Sequence, residues 1–284
     1  MSEKHVLVIG GGIAGITAGL ELASCGVDVT MLEEGPSIGG RMIQLDKTFP
    51  TLDCSSCTLT PKMVEVALNP KIELLTLSVP IEVSRENKGF KVKIRKRPRY
   101  VDMSRCTACG LCSDACVMKG RIRHEFDCNL SKRPAIYIPF PQAVPQKYLI
   151  DHMGCLFISR GKCKKACIDV CGPNAIDFSE KEEILERYYD SIIVAPGFDL
   201  YDPTEKKELG YGSLEGVLTG LEFERLCSVT GPTGGEIKLN GKVPKRFYFI
   251  QCVGSRDRQT GARFCSRVCC MYTAKHANII KDRI

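Results

Sequence analysis

The stretch that most constrains this chain is its beginning. Val6–Ile9 is a short apolar run that reads as a buried strand, and Gly10-Gly11-Gly12-Ile13-Ala14-Gly15 follows at once, a GxGxxG carried by Gly10, Gly12 and Gly15. Ile16–Ala23 continues with helical apolar spacing to a stop at Gly26, and Val27–Leu32 is a second strand that leads into Glu33. Strand, glycine turn, helix, strand and acidic residue in this order specify a βαβ dinucleotide-binding unit. Gly10 permits the tight turn, Gly12 lets the backbone approach a pyrophosphate, and Gly15 lets the helix pack on the strand. The helix N-terminus offers unpaired N–H groups to phosphate, and Glu33 can accept from a ribose hydroxyl. Gly39-Gly40-Arg41 reads as a second glycine approach beside the same cofactor. Flavoproteins commonly carry such a loop at their start, which favours FAD over a nicotinamide dinucleotide.

Cysteine is the second constraint. Seventeen in 284 residues are too many for chance, and the chain is too long for a secreted disulfide scaffold. A hydrophobic content of 44% excludes disorder. No apolar run approaches the ~18–20 residues that cross a bilayer, so no membrane span is expected. Met1–Lys4 runs straight into the first strand without a signal peptide. The expectation is a cytoplasmic protein with reduced thiols, used for metal, redox chemistry or both.

Cys106-x2-Cys109-x2-Cys112-x3-Cys116 packs four thiols into a spacing that wraps [4Fe-4S] clusters, whereas zinc sites separate two pairs by about 12 residues or more. Cys155-x7-Cys163-x3-Cys167-x3-Cys171 is a looser second group. In two-cluster ferredoxins the fourth cysteine of each run ligates the other cluster. That rule gives one cluster Cys106, Cys109, Cys112 and Cys171, and the other Cys116, Cys155, Cys163 and Cys167. Cys265-x3-Cys269-Cys270 is expected to open a helix over Ser266–Lys281, with Cys265 and Cys269 on one face, and Cys252 to end a strand over Arg246–Ile250. A third cluster or a core of small thiols fits these four. Cys54-x2-Cys57 is either a redox disulfide that exchanges electrons with flavin or a pair of cluster ligands. Cys25, Cys128 and Cys227 read as packing, and His5, His124, His152 and His276 fall into no ligand spacing.

The formal charge of +7 does not indicate a nucleic-acid partner. Two clusters and a pyrophosphate, at about −2 each, bring the loaded chain to about +1. The basic stretch Lys91–Arg99 reads as a solvated strand edge. The organisation expected is α/β over residues 1–97, a cysteine-rich inserted module over 98–180, a return to the α/β pattern over 181–235, and the start of a second nucleotide-domain-like unit over 236–284. Within it, Glu180–Tyr189 reads as a helix, Ser191–Ala195 as the returning strand, and Gly231–Gly235 as a loop.

Together these residues resemble the A-subunit family of the heterodisulfide reductases. The matching segments include VLVIGGGIAG at Val6–Gly15, TLDCSSCTLTPKM at Thr51–Met63 and RYVDMSRCTACGLCSDAC at Arg99–Cys116. Further matches are AIYIPFPQAVPQKYLID at Ala135–Asp151, YDSIIVAPGFD at Tyr189–Asp199, and QCVGSRD to CSRVCCMYTAKHA within Gln251–Ala277. The resemblance implies a thioredoxin-reductase-like, Rossmann-type FAD domain with an inserted ferredoxin-like α+β domain holding two [4Fe-4S] clusters. It also implies a further cluster on Cys252, Cys265, Cys269 and Cys270. It implies an oxidoreductase subunit that relays, and can bifurcate, electrons between FAD, clusters, ferredoxin and a disulfide-reducing partner subunit. The implied partners are heterodisulfide reductase-type subunits and a hydrogenase- or formate dehydrogenase-type donor. Family flavoproteins carry Ala-Thr-Gly where this chain has Ala195-Pro196-Gly197; Gly197 keeps the glycine, and proline removes an N–H. Family members exceed twice this length, so the chain reads as the N-terminal half. The rival from another class is a non-catalytic polyferredoxin-like carrier with no functional flavin site. No catalytic side chain is named, because the hard chemistry belongs to the cofactors.

Overall fold

A computed structural model describes residues 4–259 and 262–284. Met1–Glu3, Thr260 and Gly261 lie outside the described residues, as do the parts of the no-leader reading and of the Gln251–Ala277 match that fall on them. Contacts divide the chain into two compact units, one reaching Met42 and resuming over Thr58–Gly197, the other made of Ile43–Cys57 and Phe198–Ile284.

The first unit begins as the glycine pattern requires. Strand β1 (His5–Ile9), helix α1 (Ile13–Ser24) and strand β2 (Asp28–Glu33) form the βαβ unit. Helix α2 (Ser55–Leu68) precedes β3 (Ile72–Thr76). The antiparallel strands β4 (Ser78–Glu86) and β5 (Gly89–Lys96) come next. After the cysteine-rich segment the chain returns through β10 (Glu183–Tyr189) and β11 (Ser191–Val194). The parallel sheet has the order β11-β1-β2-β3, with Leu7 opposite both Thr30 and Ile192. Its central strands are buried on both faces, which is why VLV is an unbroken apolar run and VTML is interrupted only by the buried Thr30 rather than alternating. Gly15, Ile16, Gly19, Leu20 and Ala23 form the buried stripe of α1.

The antiparallel sheet β10-β5-β4 meets the parallel one through Leu7, Leu32, Val92, Ile94 and Tyr189. Two expectations are corrected here. Glu180–Tyr189 contains a strand, not a helix, and Lys91–Arg99 lies largely in the central strand, not an edge. One cause accounts for both. Lys91 pairs with Glu186, Lys93 with Glu82 and Lys96 with Glu183, so charges spaced as if for one helix are cross-strand partners.

The cysteine-rich segment has little regular structure. It holds the pairs β6 (Ile122–Arg123) with β7 (Lys132–Arg133) and β8 (Ile136–Tyr137) with β9 (Leu149–Ile150). Its helices are single turns: α3 (Leu111–Asp114), α4 (Leu156–Arg160) and α5 (Ala166–Asp169). Its core contains Val101, Ile136, Ile150 and Ala175 together with the thiols of Cys106, Cys112 and Cys155. Arg99, only 4% exposed, ties this segment to the parallel sheet, donating to the carbonyls of Pro36 and Lys147 and to the Thr76 hydroxyl.

The second unit is built on α6 (Gly220–Cys227) and α7 (Cys269–Arg283), with a capping box between Thr219 and Glu222 at the start of α6. Phe223, Cys227, Ile237 and Ile279 form its core. Buried Glu224 accepts from Lys275 at 2.5 Å and contacts His276. The expected strand over Arg246–Ile250 is absent among the described residues: Tyr248 is 85% and Ile250 63% exposed, and no strand lies beside them to take their backbone groups. Cys252 therefore ends no strand and sits in a loop at φ 60°. Helix α7 starts at Cys269, so Cys265 precedes it and shares no face with Cys269. Cys227 packs as expected, Cys128 is half-buried, and Cys25 is exposed at the end of α1 rather than packed.

Candidate functional site

At the glycine loop, backbone meets backbone. Gly10 has φ +107°, and a Cβ there would stand 2.1 Å from the Ala195 carbonyl oxygen; one on Gly15 would stand 1.8 Å from that of Gly10. Only glycine lets β1, α1 and the end of β11 approach this closely. Gly39 N donates to the Gly11 carbonyl, and Gly40 lies against Gly12, its missing Cβ 2.9 Å from the Gly12 Cα. The two glycine runs thus face each other, with Arg41 one residue on. Among the described residues, α1 has no side-chain N-cap, so no capping side chain takes its first N–H groups. The Glu33 carboxylate accepts from Gly11 N at 2.9 Å and Gly35 N at 2.7 Å, and burial raises its pKa despite those bonds. Gly197, at φ 73° with open space around it, follows Ala195-Pro196 out of the loop.

The two cysteine runs interleave. Cys106, Cys109, Cys112 and Cys171 line one small chamber with Val101, Tyr148, Pro173 and Ile176. Burial pushes the Cys112 thiol up to about 12; the Ser113 N–H opposes this, and Cys106, Cys171 and Cys109 add to it. Cys167 is pushed up to about 11, by burial first and then by Cys116, Cys155 and Cys163. The fourth cysteine of each run therefore lies with the first three of the other. Cys171 Sγ accepts from Ala175 N and Cys163 Sγ from Lys165 N. Among the described residues no group of three or more His, Cys, Asp or Glu is placed to hold a single metal ion. The first group rings a chamber instead of converging on a point, a fit for a multi-atom cluster whose metal would keep such thiols ionised.

In the second unit Cys252, Cys265, Cys269 and Cys270 come within electrostatic reach of one another. The Cys252 backbone N–H is the main influence lowering the Cys269 thiol, and charge on Cys269 raises Cys270. Cys265 and Cys270 are exposed. Cys54 and Cys57 are bonded to each other at the start of α2, and Cys57 N donates to Cys54 Sγ at 3.2 Å.

Sequence reasoning missed Lys147, whose ammonium donates to the Cys106 carbonyl at 2.5 Å, and Tyr148 beside it in the chamber wall. Both are far from the first cysteine run along the chain, and no local pattern marks either one.

Residues 8–61 match the NAD(P)-binding Rossmann-like domain family. The chain is 50% identical over 284 residues to the A-subunit of the H2:CoB–CoM heterodisulfide,ferredoxin reductase of Methanothermobacter marburgensis, covering 99% of this chain and 42% of that protein. It is 49% identical over 282 residues to the iron–sulfur A-subunit of the CoB–CoM heterodisulfide reductase of Methanocaldococcus jannaschii, again covering 99% and 42%. The A-subunit of the H2/formate:CoB–CoM heterodisulfide,ferredoxin reductase of Methanococcus maripaludis is 46% identical over 281 residues, covering 98% and 42%. The chain thus spans less than half the length of these curated relatives.

Proposed function

We propose, for a chain that belongs to the A-subunit family of the heterodisulfide reductases, the role of an iron–sulfur flavoprotein component that relays electrons to and from a disulfide-reducing partner. The interleaving of the two cysteine runs carries this reading. Four thiols from two distant runs surround an apolar chamber, an arrangement with little structural value unless something bridges them. Cys106, Cys109, Cys112 and Cys171 would hold one [4Fe-4S] cluster, Cys116, Cys155, Cys163 and Cys167 a second, and Cys252, Cys265, Cys269 and Cys270 a third. The segment 98–180 is then an inserted ferredoxin-like domain within a thioredoxin-reductase-like flavin domain.

Gly10, Gly12, Gly15, Gly40, Arg41 and Gly197 would border FAD, with Glu33 keeping lone pairs for a ribose hydroxyl beyond its two backbone bonds. Bound flavin supplies the exchange between electron pairs and single electrons, and the clusters supply one-electron steps. The chain's own residues bind, orient and insulate: α1 would present N–H groups to phosphate, and the apolar module core keeps water from the Cys106, Cys112 and Cys155 thiols. The closed Cys54–Cys57 pair supports the redox alternative over the ligand one. The relatives' names include ferredoxin, H2 and formate; the partners proposed are further reductase subunits, ferredoxin, and a hydrogenase- or formate dehydrogenase-type donor. Bifurcation belongs to the same proposal. No helix among the described residues is long and apolar enough to cross a membrane. Flavin released on denaturing anaerobically purified protein should reach about one per chain beside acid-labile sulfide. Sulfide without flavin would leave only the carrier reading.

A further inference from the structure

Two cations are buried in the cysteine-rich segment, and they are compensated unequally. Arg133 holds two carboxylates, Glu125 at 2.7 Å and Asp151 at 3.0 Å. Arg99 forms no ion pair among the described residues. Its acceptors are all neutral: the carbonyls of Pro36, Lys147 and Tyr148 and the Thr76 hydroxyl. Its Nε–H is buried with no acceptor. Glu180 is within electrostatic reach, but its carboxylate accepts from Tyr100 N at 2.5 Å instead. Carbonyl dipoles orient a guanidinium without cancelling its charge, and a buried charge lacking a counter-charge is costly. A buried donor lacking an acceptor equally calls for a reason. Both features fit a position built to face a negative group.

The group it faces is the first cysteine set. Burial pulls the Arg99 guanidinium down to about 10, and charge on Glu180, Cys106 and Tyr137 acts the other way. Lys147 joins the two sites, its carbonyl accepting from Arg99 and its ammonium donating to the Cys106 carbonyl. Tyr148, whose carbonyl Arg99 also meets, lines the chamber with Cys106, Cys109, Cys112 and Cys171. Four thiolates around a [4Fe-4S] core carry about −2 in sum, and about −3 once reduced. The remaining acceptors anchor Arg99 from outside the cysteine-rich segment: Thr76 ends β3, and Pro36 follows β2 in the loop that reaches Gly39-Gly40. The parallel sheet thus helps to hold the charge in place, whatever the cysteine loops do.

We infer that Arg99 is the counter-cation of the cluster held by Cys106, Cys109, Cys112 and Cys171, a residue outside the ligand set whose fixed charge favours that cluster's reduced form. This role rests on the cluster reading above. The step it favours is the gain of one electron by the cluster, supplied by the titrant in the test below, with no bond made or broken and no proton moved.

The test uses the full chain, purified anaerobically, with iron and sulfide counted first. Absence of sulfide defeats the cluster reading; the remaining outcomes bear on Arg99 alone. Midpoints are read from an EPR-monitored dithionite titration, the first cluster's signal being assigned by its loss in C112S. In R99Q, poised at the parent's midpoint, the reduced-to-oxidised ratio of the first cluster should fall about tenfold, the order a buried unit charge supplies. The second cluster should not move. R99K keeps the charge and should bring the ratio within about twofold of the parent. The R99Q shift should persist at high salt, because a buried charge is little screened. R105Q, next to Cys106 but exposed and paired with Asp102, should change the ratio by less than about twofold. Loss of the first cluster's iron in R99Q, with full iron in R99K, would also bear the role out. An unmoved midpoint in R99Q, equal shifts in R99Q and R99K, or iron lost from both variants would overturn it, since a mere crosslink between carbonyls predicts those results.

Discussion

The cysteine-rich segment and the C-terminal quartet hold their cysteines differently. In the module, Cys106, Cys112 and Cys155 are core residues, packed with Val101, Ile136 and Ala175. In the second unit Cys265 and Cys270 are exposed and Cys252 is half-buried; Cys269 alone of the four is buried, outside the core around Phe223 and Ile279. The difference teaches that the same ligand chemistry can be coupled to folding or laid over it. On the cluster reading, a module whose core consists partly of thiols would need its cluster to be stable, whereas a quartet on loops and one helix start would not.

The sharpest break between them comes from single ligands. C112S should remove one cluster, about four iron atoms, and lower the thermal midpoint of the module. C265S should remove a comparable amount of iron and leave the unfolding of the second unit nearly unchanged. Iron counts with calorimetry on the two variants check this, and equal thermal shifts would erase the contrast.

The second unit should instead respond to Glu224. Burial alone would raise that carboxyl; the His276 hydrogen bond and the Lys275 charge outweigh it and hold the pKa below 4.5. A lowered folded-state pKa contributes stability that is present above the unfolded value and lost as pH falls through the folded one. E224Q should therefore cost about 3–5 kcal/mol near neutral pH, with the gap to the parent narrowing below about pH 4.5. Thermal melts from about pH 3.5 upward would show whether the gap narrows.

G10A separates flavin from clusters. The added methyl meets the Ala195 carbonyl at a φ that disfavours alanine, so flavin should be lost while iron and sulfide are retained. Loss of iron together with flavin would mean that the loop and the module do not behave as separable sites. The smallest effect is expected at Lys147. K147M removes a positive charge beside Cys106, and the midpoint potential of the first cluster should fall by tens of millivolts with the second unmoved. An EPR-monitored redox titration resolves the two.

These contrasts follow what could be read in the residues. The βαβ unit was legible because strand, turn, helix and acid are contiguous, and each glycine answers a local steric demand. The interleaving of the cysteine runs was legible through a chemical rule about the fourth ligand, not through any local fold. Glu180–Tyr189 was misread because its charges answer partners on β5, a strand far away along the chain, rather than on its own helix face. Arg246–Ile250 has the composition of a strand, yet composition supplies no neighbour for its backbone. Lys147 and Arg99 act through folding that joins distant segments, and no spacing within one segment marks them.

The central claim is that eight thiols of the module hold two iron–sulfur clusters in one unit with the flavin loop. Native mass spectrometry of the anaerobically purified chain tests it most directly. The account predicts mass increments in whole [4Fe-4S] steps, at least two of them, alongside one FAD. Zinc increments, or a bare chain, would contradict it.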